Sequence, residues 1–239
     1  MASVNPEQVD KTEFENRTAP ATKSMRYERT KVNLWNLLGA ALVATGFAVP
    51  AVSGPLEDGV DAYHDRAFAK AAAIWQPLAD KGDPAAQYLL GTLYAEGKGV
   101  ERNDATAFMW FQRAANQGEA RAQYNLGVSY AEGDGVQKSE TDAAKWFQRA
   151  ANQGMAFAQL NLALLYAAGK GVPQDNIEAF KWLLLAFSGL PPGGARSDVA
   201  QAMTDVAAKM TRDELDEAKR REHFWKVQPE QKIGGSAPK

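Results

Sequence analysis

The string Phe111-Gln112-Arg113-Ala114-Ala115-Asn116-Gln117-Gly118 stands again, letter for letter, at Phe147 to Gly154. The two copies lie 36 residues apart, and the same interval governs their surroundings. Gln87, Gln123 and Gln159 are in register, as are Leu90, Leu126 and Leu162, Tyr94, Tyr130 and Tyr166, and Trp110, Trp146 and Trp182. Chance does not produce this, so the chain is an internal array with units at 83–118, 119–154 and 155–190.

Each unit reads as two helices, A and B. In the second unit Ala122, Leu126, Gly127 and Tyr130 fall at helical spacing and give helix A one apolar stripe. Gly127 allows close approach of a neighbour. Glu132-Gly133-Asp134-Gly135-Val136 then breaks the helix: the first glycine suits a left-handed terminal residue, the second relaxes the turn, and Val136 plugs the hairpin. Ser139 with Asp142 three residues on resembles a helix start. Helix B turns Ala143, Trp146, Phe147, Ala150 and Ala151 inward, and Gly154 closes it. Asp83-Pro84 opens the first helix A, proline being tolerated at the first helical position.

The motif Ala-Gln-x-x-Leu-Gly-x-x-Tyr-x-x-Gly-x-Gly-Val followed by Ala-x-x-Trp-x-x-x-Ala-Ala closely resembles the Sel1-like repeats, relatives of the tetratricopeptide repeats. It stands at Ala86 to Val100, Ala122 to Val136 and Ala158 to Val172, each Trp ten residues after its Val. The third unit departs at Ala163, where glycine is expected, and at Phe187, where the second alanine is expected; both departures suggest a looser or more apolar final contact. The resemblance covers roughly residues 58–190, with 54–82 as an opening half-repeat. It implies an all-α fold: a right-handed α-solenoid of Sel1-like helical hairpins with C-terminal capping helices.

The cap is legible in the tail. Helix B of the third unit, Ile177 to Phe187, is almost wholly apolar, and an open solenoid end of that kind needs a cover. After Pro191-Pro192-Gly193-Gly194, a helix starting at Ser197 places Val199, Met203, Val206 and Met210 on one face. Thr211 with Glu214 is a capping box for a second helix running to about Val227. Leu215, Ala218 and Phe224/Trp225 are expected to pack on the third repeat, with Asp216–Arg220 and Glu217–Arg221 pairs on the wet side. The capping region spans 195–228, and 229–239 reads as a disordered tail.

At the other end, 25 uncharged residues lie between Lys31 and Glu57, behind Arg26, Arg29 and Lys31 and ahead of Ala51 and Ser53. Those are the parts of a secretory signal, with cleavage expected near Ala51 or Ser53. Residues 1–24 make an awkward, disordered leader, so Met25 is the expected true start and 25–53 the signal. An uncleaved inner-membrane anchor facing the periplasm is the alternative. The expected location is therefore periplasmic or secreted, in a bacterial envelope.

Composition narrows the function. With 27 basic against 29 acidic residues there is no electrostatic case for nucleic acid. The chain contains no cysteine, which removes disulfides, thiolate nucleophiles and cysteine-based zinc sites. His64 falls in a short turn region and His223 on a charged helical surface, and the pair does not have metal-ligand spacing. No convergent catalytic set, cofactor loop or metal site is expected. Glu96 and Glu132 occupy equivalent places and read either as an acidic strip or as solvated helix ends. The three Trp read as core, on the inward stripe of helix B.

The functional expectation is thus a non-enzymatic adaptor that captures a protein or peptide segment on the concave helix A face. Geometry carried over from the tetratricopeptide relatives exposes Tyr88, Thr92 and Glu96; Arg121, Tyr124, Val128 and Glu132; and Phe157, Leu160 and Leu164. Tyr beside Arg is typical of binding hot spots. Leu160 and Leu164 are read alternatively as contacts to the C-terminal cap. The resemblance further implies scaffolds and regulators of envelope signalling, including inhibitors of a sensor kinase, and a membrane-tethered scaffold of a larger complex. Some Sel1-like proteins resemble penicillin-binding or β-lactamase activities, but those relatives carry a cysteine pair in every repeat, which this chain lacks.

Overall fold

The structure is a computed structural model that describes residues 54–228. Among these residues all regular structure is helical, in ten helices. They are α1 Pro55–His64, α2 Phe68–Asp80, α3 Pro84–Glu96, α4 Asp104–Asn116, α5 Ala120–Glu132, α6 Glu140–Asn152, α7 Ala156–Ala168, α8 Asn176–Gly189, α9 Gly194–Ala207 and α10 Arg212–Phe224. Each helix packs on the next from α1 to α9, and α10 returns to pack on α8. The expected leader, signal segment and tail at 1–24, 25–53 and 229–239 lie outside the described residues.

Local chemistry starts and stops the helices where the period demands. The side chains of Asn103, Ser139 and Asp175 accept backbone N–H groups at the starts of α4, α6 and α8, and Asp83 and Glu119 do so for α3 and α5. The N–H of each helix B cap donates back to the repeat tyrosine carbonyl: Asn103 to Tyr94 at 3.0 Å, Ser139 to Tyr130 at 2.8 Å, Asp175 to Tyr166 at 3.0 Å. Each hairpin is therefore closed by its own backbone. The expected capping box of Thr211 and Glu214 is present.

The turn glycines have different tasks. Gly133 ends α5 in the left-handed region at φ 87°, as the sequence suggests. Gly135, at φ 71°, does more than relax the turn: a Cβ there would lie 2.2 Å from the carbonyl oxygen of Asp104. Gly99 and Gly171 stand equally close to the backbone at Phe68 and Glu140, so each turn presses on the first residues of the preceding helix B. The second glycine is an inter-repeat contact.

The core is small-residue and aromatic. Ala114, Ala150, Ala158, Leu126, Phe147 and Trp75 are all inaccessible. Gly91 and Gly127 receive the rings of Phe111 and Phe147, against which a Cβ would stand at 2.8 and 2.5 Å. In the third repeat the same positions are Ala163 and Leu183, both fully buried. A larger residue on helix A is matched there by a smaller one on helix B, and of the two outcomes expected, a looser or a more apolar contact, the full burial of both favours the second.

Other expectations are corrected. The opening segment is a complete two-helix hairpin, α1 and α2, rather than half a repeat. The cap helix α9 starts at Gly194, three residues before Ser197, and α10 ends at Phe224 rather than near Val227. Phe224 is 76% exposed, because α10 has already turned its packing face, Ala218, toward α8. Trp225 alone of that pair packs inward, edge-on to Trp182 at 6.0 Å. Asp216 pairs with Lys219 and Arg220 with Glu217, while the Glu217–Arg221 pair forms as expected at 2.7 Å. Trp110 and Trp182 are buried, but Trp146 is half-buried, with the Arg149 guanidinium over its ring at 4.4 Å.

Candidate functional site

The A helices α3, α5 and α7 carry all ten residues expected on the partner-binding face, and their exposure is uneven. Tyr88, Tyr124 and Val128 are buried, at 5%, 4% and 3% accessible, so the expectation that they are exposed is corrected. The reason is the stacking. The residue 33 positions later, at the start of the next A helix, lies over each tyrosine: the Arg121 guanidinium sits 4.5 Å from the Tyr88 ring, and Phe157 stands 6.5 Å from Tyr124. Beneath, Tyr88 meets Phe111 at 6.2 Å and Tyr124 meets Phe147 at 5.8 Å. These tyrosines are inter-helix packing.

Arg121 is also less available than its sequence position suggests. Its Nε and Nη2 donate to Glu119 Oε1 and Oε2 at 2.6 and 3.1 Å. Burial works against the Arg121 charge, but the hydrogen bonds and charge of Glu119 outweigh it and raise its pKa. Burial pushes the Tyr88 phenol up, partly opposed by Arg121 above it. To clamp a partner carboxylate, Arg121 must release a bidentate pair.

At the polar end, Glu96 pairs with Lys98 at 2.7 Å, and Lys98 Nζ donates to the Tyr63 hydroxyl at 2.9 Å. A continuous acidic strip with Glu132 therefore does not form, although both glutamates are exposed. Thr92 is half-buried and donates to the Tyr88 carbonyl at 3.0 Å.

The opposite end is open. Phe157, Leu160 and Leu164 on α7 all remain partly in solvent. The residue 33 positions after Leu160 is Gly193, which has no side chain and has nothing within 4 Å of its Cβ position. The lid that Arg121 and Phe157 provide for the two tyrosines is missing there.

Sequence reasoning missed what binds one repeat to the next. Gln87, Gln123 and Gln159 are buried and donate to the carbonyls of Ala79, Ala115 and Ala151 at 3.1, 3.2 and 3.2 Å. Gln117 and Gln153 then donate to Gln87 and Gln123, both at 2.8 Å. Each such glutamine joins the end of the preceding helix B to its own hairpin. The signal was present in the strict 36-residue register of a residue seldom buried.

His64 ends α1 and His223 lies on α10, both exposed. Among the described residues no group of three or more His, Asp or Glu is placed to hold a metal ion, and no helix is long and apolar enough to cross a membrane.

The Sel1 repeat family profile matches at residues 84–119, 120–155 and 156–189. A crystal structure of a Sel1 repeat protein from Oxalobacter formigenes is similar, with 31% identity and a TM-score of 0.59 over 68% of this chain and 61% of that one. A protective antigen present in uropathogenic Escherichia coli strains, displaying an SLR fold, is similar at 26% identity and a TM-score of 0.50, over 72% of this chain and 44% of that one. The chain thus spans about three fifths of the first structure and under half of the second. No curated protein matches the chain.

Proposed function

Because the chain carries three Sel1 repeats, a fold that generally mediates protein–protein interaction, we propose that it is a binding adaptor whose partner lies on the helix A face. The supporting observation is the uncovered α7 end of that face. Leu160 and Leu164 keep apolar surface in water where the residues one repeat earlier, Tyr124 and Val128, are packed away, and Phe157 on the same helix is only half-buried. A partly desolvated apolar cluster of this kind is the usual centre of an interface. The partner on this reading is a protein segment with an apolar ridge, and the buried tyrosines are its support rather than its contacts. Thr92, Glu96 and Glu132 line the more polar approach.

The charge-flanked apolar segment at 32–56 supports export to the bacterial envelope, with retention of that segment as a tether the alternative. N-terminal sequencing of the protein from its host separates the two. An envelope sensor or assembly protein is the partner class that this location favours.

The test is a comparative capture. Wild type and Leu160→Glu/Leu164→Glu are used to capture proteins from envelope extract, and the captured proteins are identified. Proteins retained by wild type and lost from the double variant, at unchanged helicity and melting temperature, support the face. Equal retention by both refutes it. Labelled β-lactam supplies the enzymatic control: the adaptor reading expects no covalent labelling.

A further inference from the structure

The helix A face carries two side-chain amides that no other described residue engages. Asn161 lies on α7 in the same stripe as Phe157, Leu160 and Leu164, since positions 157, 160, 161 and 164 share one face of a helix. Asn125 holds the equivalent place on α5, 36 residues earlier, and the first repeat has Leu89 there. The amides therefore stand toward the α7 end of the face, beside its open apolar cluster.

Asn161 is 8% accessible and Asn125 is half-buried, yet neither side chain forms a hydrogen bond with another described residue. The amide oxygen and nitrogen of each are not sealed off: both atoms reach solvent. Asn161 is thus a side chain with its body packed and its polar tip left at the floor of the face. Gln87, Gln123 and Gln159 show the contrast, because each is as deeply buried and commits its amide to the carbonyl of a helix end. An asparagine inside a helix lowers helix propensity, and a mostly buried amide without a partner costs desolvation as well. Packing alone is better served by the leucine of the first repeat, buried at 6%.

Within the helix A reading proposed above, we infer that Asn125 and Asn161 form a main-chain clamp. They hold peptide groups of an extended, uncharged partner segment that crosses α5 and α7, while one aliphatic side chain of that segment settles among Phe157, Leu160 and Leu164. A carboxamide offers donors and an acceptor at a single tip, as a peptide group does, whereas a carboxylate or phosphate engages only the donor half. Charge argues the same way. Residues 157–164 include no charged side chain, and the Arg121 guanidinium is committed to both Glu119 oxygens. A helical partner satisfies its own main chain and has no peptide groups to give, so the occupant is extended. Main-chain hydrogen bonds then supply affinity, and the aliphatic anchor sets the register.

Short random peptides displayed on phage and selected on the full-length chain supply the probe, and the tightest one is measured by fluorescence anisotropy. The selected peptides are expected to be uncharged, with an aliphatic residue at a fixed position. Asn161→Ala and Asn125→Ala should each weaken binding by about tenfold, the loss of one or two hydrogen bonds. N-methylation of the clamped peptide group should cost wild type about as much and cost the matching asparagine variant nothing further, a coupling that side-chain docking does not produce. Asn161→Asp, nearly isosteric and without the N–H donors, should show the same loss and keeps the test open if the alanine variant melts early. Leu160→Glu/Leu164→Glu separates the clamp from the reading beneath it. Peptides lost from that variant but bound equally by wild type and both asparagine variants leave the face standing and overturn the clamp. Peptides indifferent to every variant overturn both. The clamp also fails if no peptide is selected, if acidic peptides whose binding fades with salt dominate, or if N-methylation costs wild type and the variants equally. So it does if sedimentation shows a dimer that Asn161→Asp dissolves, since the occupant is then a second copy.

Discussion

Alanine at Gly133 and alanine at Gly135 separate two costs that the sequence pattern Gly-x-Gly merges. Both residues have positive φ, 87° and 71°, so both substitutions incur the left-handed penalty of about 1–2 kcal/mol. At Gly133 the cost stops there, because the nearest atom to the new Cβ is the Lys138 Cβ at 3.5 Å, an ordinary contact. At Gly135 the new Cβ falls 2.2 Å from the Asp104 carbonyl oxygen and 2.8 Å from the Ala105 nitrogen. Backbone cannot rotate aside as a side chain does, so the turn must lift from α4 and its stacking contact weakens. Overpacking of that kind adds about 1–3 kcal/mol. Gly135→Ala should therefore be the more damaging by that difference, which in a domain of this size lowers the melting temperature by a further ~2–4 °C per kcal/mol. The assay is urea unfolding followed by far-ultraviolet circular dichroism and Trp fluorescence together, because a solenoid can lose its repeats separately. Asparagine sharpens the comparison: it relieves the backbone penalty at both positions but not the overlap at Gly135. If the two alanine variants are equally stable, or Gly135→Ala is the milder, the turn does not bear on the preceding repeat and the stacking account is wrong.

Gly127→Ala drives a methyl into the Phe147 ring and should cost about 1–3 kcal/mol, while adding Phe147→Leu, the third repeat's solution, should recover part of that cost; strictly additive urea midpoints refute the pairing. Gln123→Leu leaves the Ala115 carbonyl and the Gln153 amide without this partner and should cost about 1–3 kcal/mol, readable as faster amide exchange at the α4–α5 junction. On acidification, the Asp142 carboxyl is held below the usual carboxylate range by the Ser139 hydroxyl first and Lys145 second. Its contribution is complete above the unfolded carboxylate range and is lost as pH falls through the folded value. Asp142→Asn should thus show a smaller drop in melting temperature between neutral pH and about pH 3 than wild type does; an equal or larger drop contradicts it.

Periodicity, caps and breakers are local, and they were legible directly. A 36-residue interval, a cap such as Ser139, a terminal glycine such as Gly133 and the Thr211–Glu214 box each act within one or two turns of helix, so the order of helices followed from them. The reading of Gly135 as a relaxed turn was incomplete, because its partner, the backbone of Asp104, lies in another repeat. Which of Phe224 and Trp225 packs on the third repeat was not legible, because the phase of α10 against α8 settles which of two adjacent aromatics turns inward.

Which side of helix A meets water was beyond the sequence altogether. Whether Tyr88 binds a partner or packs beneath Arg121 depends on how closely α3 and α5 are stacked, a property of two whole hairpins and not of either helix. The same stacking covers Tyr124 with Phe157 and leaves Leu160 uncovered, since Gly193 has nothing with which to reach it. Repeat identity is written in the chain one residue at a time, whereas exposure arises only when neighbouring repeats close on each other. That is why the amino-acid order alone determined the solenoid and its caps, and the tertiary structure decided where its surface is free to bind.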